Sequence, residues 1–195
     1  MKLLFATNNQ NKIKEISALI PKGIELVGLP QVGLYEDIPE TGKTLKENAI
    51  QKAEYAFSKT NMWCFADDTG LEVDALDGAP GVNSARYAGE SKNSTDNVNL
   101  LLKNLKGIEN RKARFRTVIS LIIDNHNYFF DGTIEGIIIN EPIGTEGFGY
   151  DPVFIPDGYS QTFAQMPLSL KNTISHRAKA TKQLIDFIRT YATKQ

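Results

Sequence analysis

Leu3-Leu4-Phe5-Ala6 opens the chain as a short apolar run, the pattern of a buried strand. Polar residues 7–11 interrupt it. Ile13, Ile16, Leu19 and Ile20 then recur at helical spacing until Pro21 stops the run. Strand, polar turn and helix make the first unit, and residues 25–29 read as a second strand. Thr44-Leu45-Lys46-Glu47 fits a capping box, followed by the helical stripe Leu45, Ala49, Ile50, Ala53, Ala56 and Phe57. Residues 63–66 form a short apolar strand ending at Asp67-Asp68, with another over residues 71–73. Val98, Leu101, Leu102 and Leu105 predict a helix closed by Gly107. Residues 114–124 and 128–139 alternate as two long strands around the turn Asp124-Asn125-His126-Asn127. Residues 144–151 are a glycine-rich loop. Ala178, Thr181, Leu184, Ile185 and Ile188 form the closing helix. Mixed elements with at least one antiparallel hairpin predict an α/β fold with a mixed sheet.

The chain has 195 residues, enough for a single domain spanning 1–195, alone or with a small lobe. Twenty-two basic against 23 acidic residues leave a net charge of −1, which argues against a nucleic-acid or anionic-membrane partner. One cysteine, Cys64, excludes an intrachain disulfide, and two histidines exclude poly-histidine metal sites. No apolar stretch approaches the roughly 20 residues that span a bilayer, so a soluble, cytoplasmic protein is expected.

Five constellations could carry chemistry. Thr7, Asn8, Asn9, Gln10, Asn11 and Lys12 lie between a strand and a helix. There, free backbone amides and a lysine suit an anion, although an asparagine-capped polar turn has the same composition. Glu40-Thr41-Gly42 precedes Glu47, Asn48 and Lys52. Asn48 and Lys52 share a helix face off the apolar stripe, either functional or solvated. Asp67-Asp68-Thr69-Gly70 supplies hard oxygen ligands, or else an acidic turn. Its adjacent carboxylates point to opposite sides, so one cation does not take both. Gly147-Phe148-Gly149-Tyr150-Asp151-Pro152 frees an aromatic ring to stack, unless the ring belongs to the core. Lys171 precedes Ser175-His176-Arg177, which opens the last helix, where Arg177 can donate two hydrogen bonds unless this is simply a capped surface helix.

These residues also carry a resemblance. The stretches ATNNQNK from Ala6, ETG from Glu40, ENAIQKA from Glu47, ADDTGLEVDALDGAPGVNSARYAG from Ala66, FGYDPVF from Phe148 and SHRAKA from Ser175 recur in order. With them the chain closely resembles the non-canonical purine nucleoside triphosphate pyrophosphatases (dITP/XTP pyrophosphatases, inosine triphosphatases). The resemblance implies hydrolysis of ITP, dITP and XTP to monophosphate and pyrophosphate with Mg²⁺. It also implies an elongated two-lobed α/β fold, with helices flanking a central mixed sheet and a cleft between lobes, and a homodimer. Carried over by motif, Thr7, Asn8, Asn9, Gln10, Asn11 and Lys12 look like the triphosphate loop, and Glu40 like a metal ligand. Asp68 looks like the proton acceptor and a metal ligand, and Thr69 like a substrate contact. Phe148, Gly149, Tyr150, Asp151, Lys171, His176 and Arg177 look like nucleoside contacts. Asn8 stands where glycine is usual, Thr69 replaces serine, and Leu170 replaces an acidic residue.

On this reading Lys12 and Lys52 offset phosphate charge, Phe148 stacks on the base and Arg177 donates to O6. Asp68 activates water, so Asp67 is expected to be the milder carboxylate to lose. A nucleotide-binding protein without turnover, a single-strand nucleic-acid binder and a phosphatase releasing orthophosphate are the alternatives.

Overall fold

The computed structural model describes residues 1–193. Its strands are β1 (Lys2–Phe5), β2 (Glu25–Gly28), β3 (Cys64–Val73), β4 (Lys112–Ile123), β5 (His126–Ile138) and β6 (Phe154–Pro156). They form one six-stranded sheet in the order β2-β1-β3-β4-β5-β6. β1 runs parallel to β2 and β3, and β6 is antiparallel to β5, so the sheet is mixed as the patterning predicts. The helices are α1 (Gln10–Ser17), α2 (Leu45–Thr60), α3 (Ser94–Asn104), α4 (Leu168–Ile174) and α5 (His176–Ala192). Among the described residues no helix is long and apolar enough to cross a membrane.

The chain divides into two compact units, each assembled from separate segments. Met1–Asp68, Thr117–Gly132 and the segment from Arg177 onward form the first; Thr69–Arg116 and Thr133–His176 form the second. In the first unit, α1 and α5 bury Ile16, Ala180, Leu184 and Ile188 with Leu3, Phe5 and Phe65. On the other side α2 buries Ala53 and Ala56 with Leu4, Ala6, Cys64 and Ala66. In the second unit, Leu101 of α3 and Leu105 just beyond it pack with Leu71, Val73, Phe115, Ile134, Phe154 and Phe163.

Two local predictions change. The strand expected to end at Asp67-Asp68 continues through Thr69-Gly70 to Val73. Pattern reading breaks there because charged residues mimic a turn, whereas each carboxylate meets cations instead of solvent (below). The Thr44 cap is half a capping box: Thr44 Oγ1 accepts from Glu47 N at 3.1 Å, but Glu47 Oε2 accepts from Lys43 N at 2.6 Å. The β4–β5 turn uses two left-handed residues, Asp124 (φ 50°) and Asn125 (φ 62°), types that tolerate this conformation.

Candidate active site

Strand alternation decides what each carboxylate meets. Phe65 packs on the α1–α5 side of the first unit, so Asp67, two residues on, faces that side as well. Ala66 packs toward α2, and Asp68 follows it. Asp67 is 1% exposed. Its Oδ1 accepts from Lys12 Nζ at 3.0 Å and its Oδ2 from Arg177 Nε at 3.3 Å. The Arg177 guanidinium also pairs with Glu15 of α1. Asp68 takes Lys52 Nζ on Oδ1 at 3.2 Å and Asn48 Nδ2 on Oδ2 at 3.1 Å. Lys52 also donates to Glu40. The face carrying Asn48 and Lys52 is therefore buried, at 3% and 6% exposure.

The two neighbouring carboxyls are driven apart in proton affinity. Burial pushes Asp68 above the ordinary carboxylate value against the opposing pull of Lys52 and Lys12. Burial acts on Asp67 in the same direction, but Lys12, Arg177 and Lys52 outweigh it and hold that carboxyl well below the usual range. Burial lowers Lys12 despite Asp67. For Lys52, Asp68 and Glu40 overcome burial and raise it. Paired groups with diverging affinities are how sites divide acid and base roles. Here Asp67 is the fixed anion, and Asp68 is the carboxylate able to accept a proton.

The residues expected to form a phosphate loop come together at the start of α1. Asn9 caps the helix, its Oδ1 accepting from Asn11 N at 3.0 Å and Lys12 N at 3.2 Å, while Thr7 Oγ1 accepts from Asn9 N at 3.2 Å. Amides expected to receive an anion are thus held by the loop's own side chains. Exposed Gln10 opens the helix, and Asn8 Nδ2 reaches Asp37 Oδ1 at 3.4 Å.

In the second unit, Asp151 organises the glycine-rich loop. Its Oδ2 accepts from Phe148 N at 2.8 Å and from Lys171 Nζ at 2.6 Å. A Cβ on Gly147 would lie 2.0 Å from that oxygen, so only glycine fits. Gly147 and Gly149 hold φ of 73° and 63° on either side of half-buried Phe148, and Lys171 Nζ lies 5.3 Å from its ring. Tyr150 is a core residue, 4% exposed, with its hydroxyl donating to Ser84 O at 2.9 Å. His176 stacks on Phe115 with centroids 4.7 Å apart. Thr69 is half-buried within β3.

Arg177 has partners other than those expected. The sequence reading makes it a donor to a base edge; in the structure its Nε and Nη1 face Asp67 and Glu15, at 1% exposure. Glu15 was absent from that reading. Its signal was a three-residue spacing from Lys12, which sets both on one helix face.

A buried carboxylate pair served by lysines from two helices suits an enzyme site that faces an anionic substrate. The comparisons agree on which kind: the chain belongs to the Ham1 family, whose pattern matches residues 3–187. A dITP/XTP pyrophosphatase of Flavobacterium johnsoniae is 54% identical over 188 residues, 96% of this chain and 98% of the relative. That of Porphyromonas gingivalis is 55% identical over 188 residues, 96% and 97% of the two chains. A HAM1 protein of Coxiella burnetii superposes with a TM-score of 0.90 at 35% identity, over 97% of this chain and 99% of the other.

Proposed function

We propose that this chain is a pyrophosphohydrolase that converts ITP, dITP and XTP to the monophosphate and pyrophosphate. The printed names of its relatives support the substrate class. The single observation that carries the chemistry is the buried Asp67-Asp68 pair, one carboxylate locked between Lys12 and Arg177 and the other held by Lys52 and Asn48. Asp68 orients a water and takes its proton as the water attacks the α-phosphorus. Lys12 and Lys52 offset charge on the phosphates as pyrophosphate departs. Phe148 stacks on the purine, and Lys171, fixed by Asp151, holds its ring in place.

The donor set fits Mg²⁺. Lys12, Lys52 and Arg177 face Glu15, Glu40, Asp67 and Asp68, three cations against four carboxylates, so the cluster alone does not neutralise a triphosphate. Among the described residues no group of three or more His, Cys, Asp or Glu is placed to hold a metal. Mg²⁺ is commonly held by one or two carboxylates plus substrate phosphates, and Glu40 and Asp68 supply those oxygens. When bound, the ion supplies Lewis-acid stabilisation of phosphate charge. A cytoplasmic homodimer belongs to the same reading. It is supported by the family resemblance.

The test is product identity. ITP with Mg²⁺ should yield IMP and pyrophosphate in equal amounts; IDP and orthophosphate would make the chain a phosphatase. A second expectation concerns Phe148, whose loop is set by backbone contacts that alanine keeps. Phe148→Ala should raise the KM for ITP by the worth of a stacked aromatic, about 1–3 kcal/mol, with little change in melting temperature. A large drop in melting temperature at unchanged KM would make Phe148 a core residue.

A further inference from the structure

Three consecutive amides of the turn after Glu40 are captured by side chains of α2. Thr41 N donates to Gln51 Oε1 at 3.0 Å, Gly42 N to Asn48 Oδ1 at 2.8 Å, and Lys43 N to Glu47 Oε2 at 2.6 Å. The approach is close enough to require glycine: a Cβ at Gly42 would lie 2.6 Å from Glu47 Cβ and 2.8 Å from Asn48 Oδ1. Of the three captors, Asn48 alone also bonds Asp68. An amide hydrogen can only donate, so Gly42 N fixes the Asn48 oxygen toward itself and turns the Nδ2 group onto Asp68 Oδ2, at 3.1 Å. Lys52 closes the ring, bonding Asp68 Oδ1 at 3.2 Å and the carboxylate of Glu40. Each Asp68 oxygen is therefore held by a different residue of one helix face, at positions 48 and 52. The turn bearing Glu40 is tied to the same asparagine.

We propose that Asn48 is a positioning residue for hydrolysis. It fixes the rotation of the Asp68 carboxylate and locks it in register with the turn that presents Glu40. Buried at 3% exposure, it takes the orienting part that an outer-shell partner takes in catalytic sites. The inference rests on Asp68 being the proton acceptor.

The test measures kcat and KM for ITP, and the melting temperature, in Asn48→Ala, Asn48→Asp and Gln51→Ala. Asn48→Ala should lower kcat on the order of 10- to 100-fold with KM little changed, as loss of an outer-shell partner does. Gln51→Ala, which loosens the same turn without touching Asp68, should keep kcat near wild type. Asn48→Asp keeps the acceptor for Gly42 N and so keeps the fold. It should still lose kcat, because an ionised neighbour repels Asp68 and a protonated one already gives it a proton. Wild-type kcat in Asn48→Asp would show that capping the turn is the whole role, and overturns the proposal. Equal kcat losses in Asn48→Ala and Gln51→Ala would overturn it as well. Failure of the wild-type chain to release pyrophosphate from ITP is a separate result that removes the functional reading itself.

Discussion

Asp68→Asn should abolish most pyrophosphate release while leaving the melting temperature within a few degrees of wild type. Loss of a general base typically costs 10²–10⁴-fold in rate, and asparagine cannot accept a proton as the role proposed for Asp68 requires. The fold tolerates the change for a definite reason. Burial raises the Asp68 carboxyl, so its ionised form is disfavoured in the folded protein and a neutral amide relieves that cost. Lys52 keeps Glu40 as a partner, so no buried cation is stranded. Retention of more than a tenth of wild-type turnover at saturating ITP and Mg²⁺ would remove Asp68 from the base position.

Asp67→Asn should have the opposite signature. Asp67 sits between Lys12 and Arg177 at 1% exposure, and its loss leaves two buried cations short of one charge. Breaking a buried pair by removing one partner costs about 3–5 kcal/mol. In a chain this size each kcal/mol lowers the melting temperature by roughly 2–4 °C. The change read from sequence as the milder one is thus milder for chemistry only; for stability it is the larger. The acid side supplies a check. The Asp67 carboxyl is lowered in the folded state, so its stabilisation is fully present above the unfolded value, about 3.9, and is lost as pH falls toward the folded one. The wild-type melting temperature should therefore drop more steeply below about pH 4 than that of Asp67→Asn. Coincident melts at neutral pH would contradict the buried-network account.

Much of this site is legible in the sequence because its chemistry is carried by short motifs at element junctions. The polar turn at residues 7–12, Glu40, Lys52, the Asp67-Asp68 pair and the Phe148 loop all stand out as candidates by residue type, each with a plain structural alternative. What the sequence hides depends on contacts distant in the chain. Asp67 and Arg177 are 110 residues apart, and Glu15 and Arg177 are 162 apart, so no local pattern reports that Arg177 is shared by two carboxylates. Tyr150 falls among the nucleoside contacts that the resemblance implies, while its hydroxyl is committed to Ser84 O, 66 residues away. β3 is split by pattern reading because buried charges resemble a turn until their partners are known. The three-residue β6 and the seven-residue α4 are too short for periodicity to register.

The central claim, a pyrophosphohydrolase acting on ITP, dITP and XTP, is tested most directly by initial rates of pyrophosphate release. ITP, dITP, XTP, ATP and GTP are compared at equal concentration with Mg²⁺. ITP, dITP and XTP should be hydrolysed at least tenfold faster than ATP, about the discrimination available from one unmatched buried hydrogen-bonding group. Equal rates across the five nucleotides, or no pyrophosphate from ITP, would contradict it.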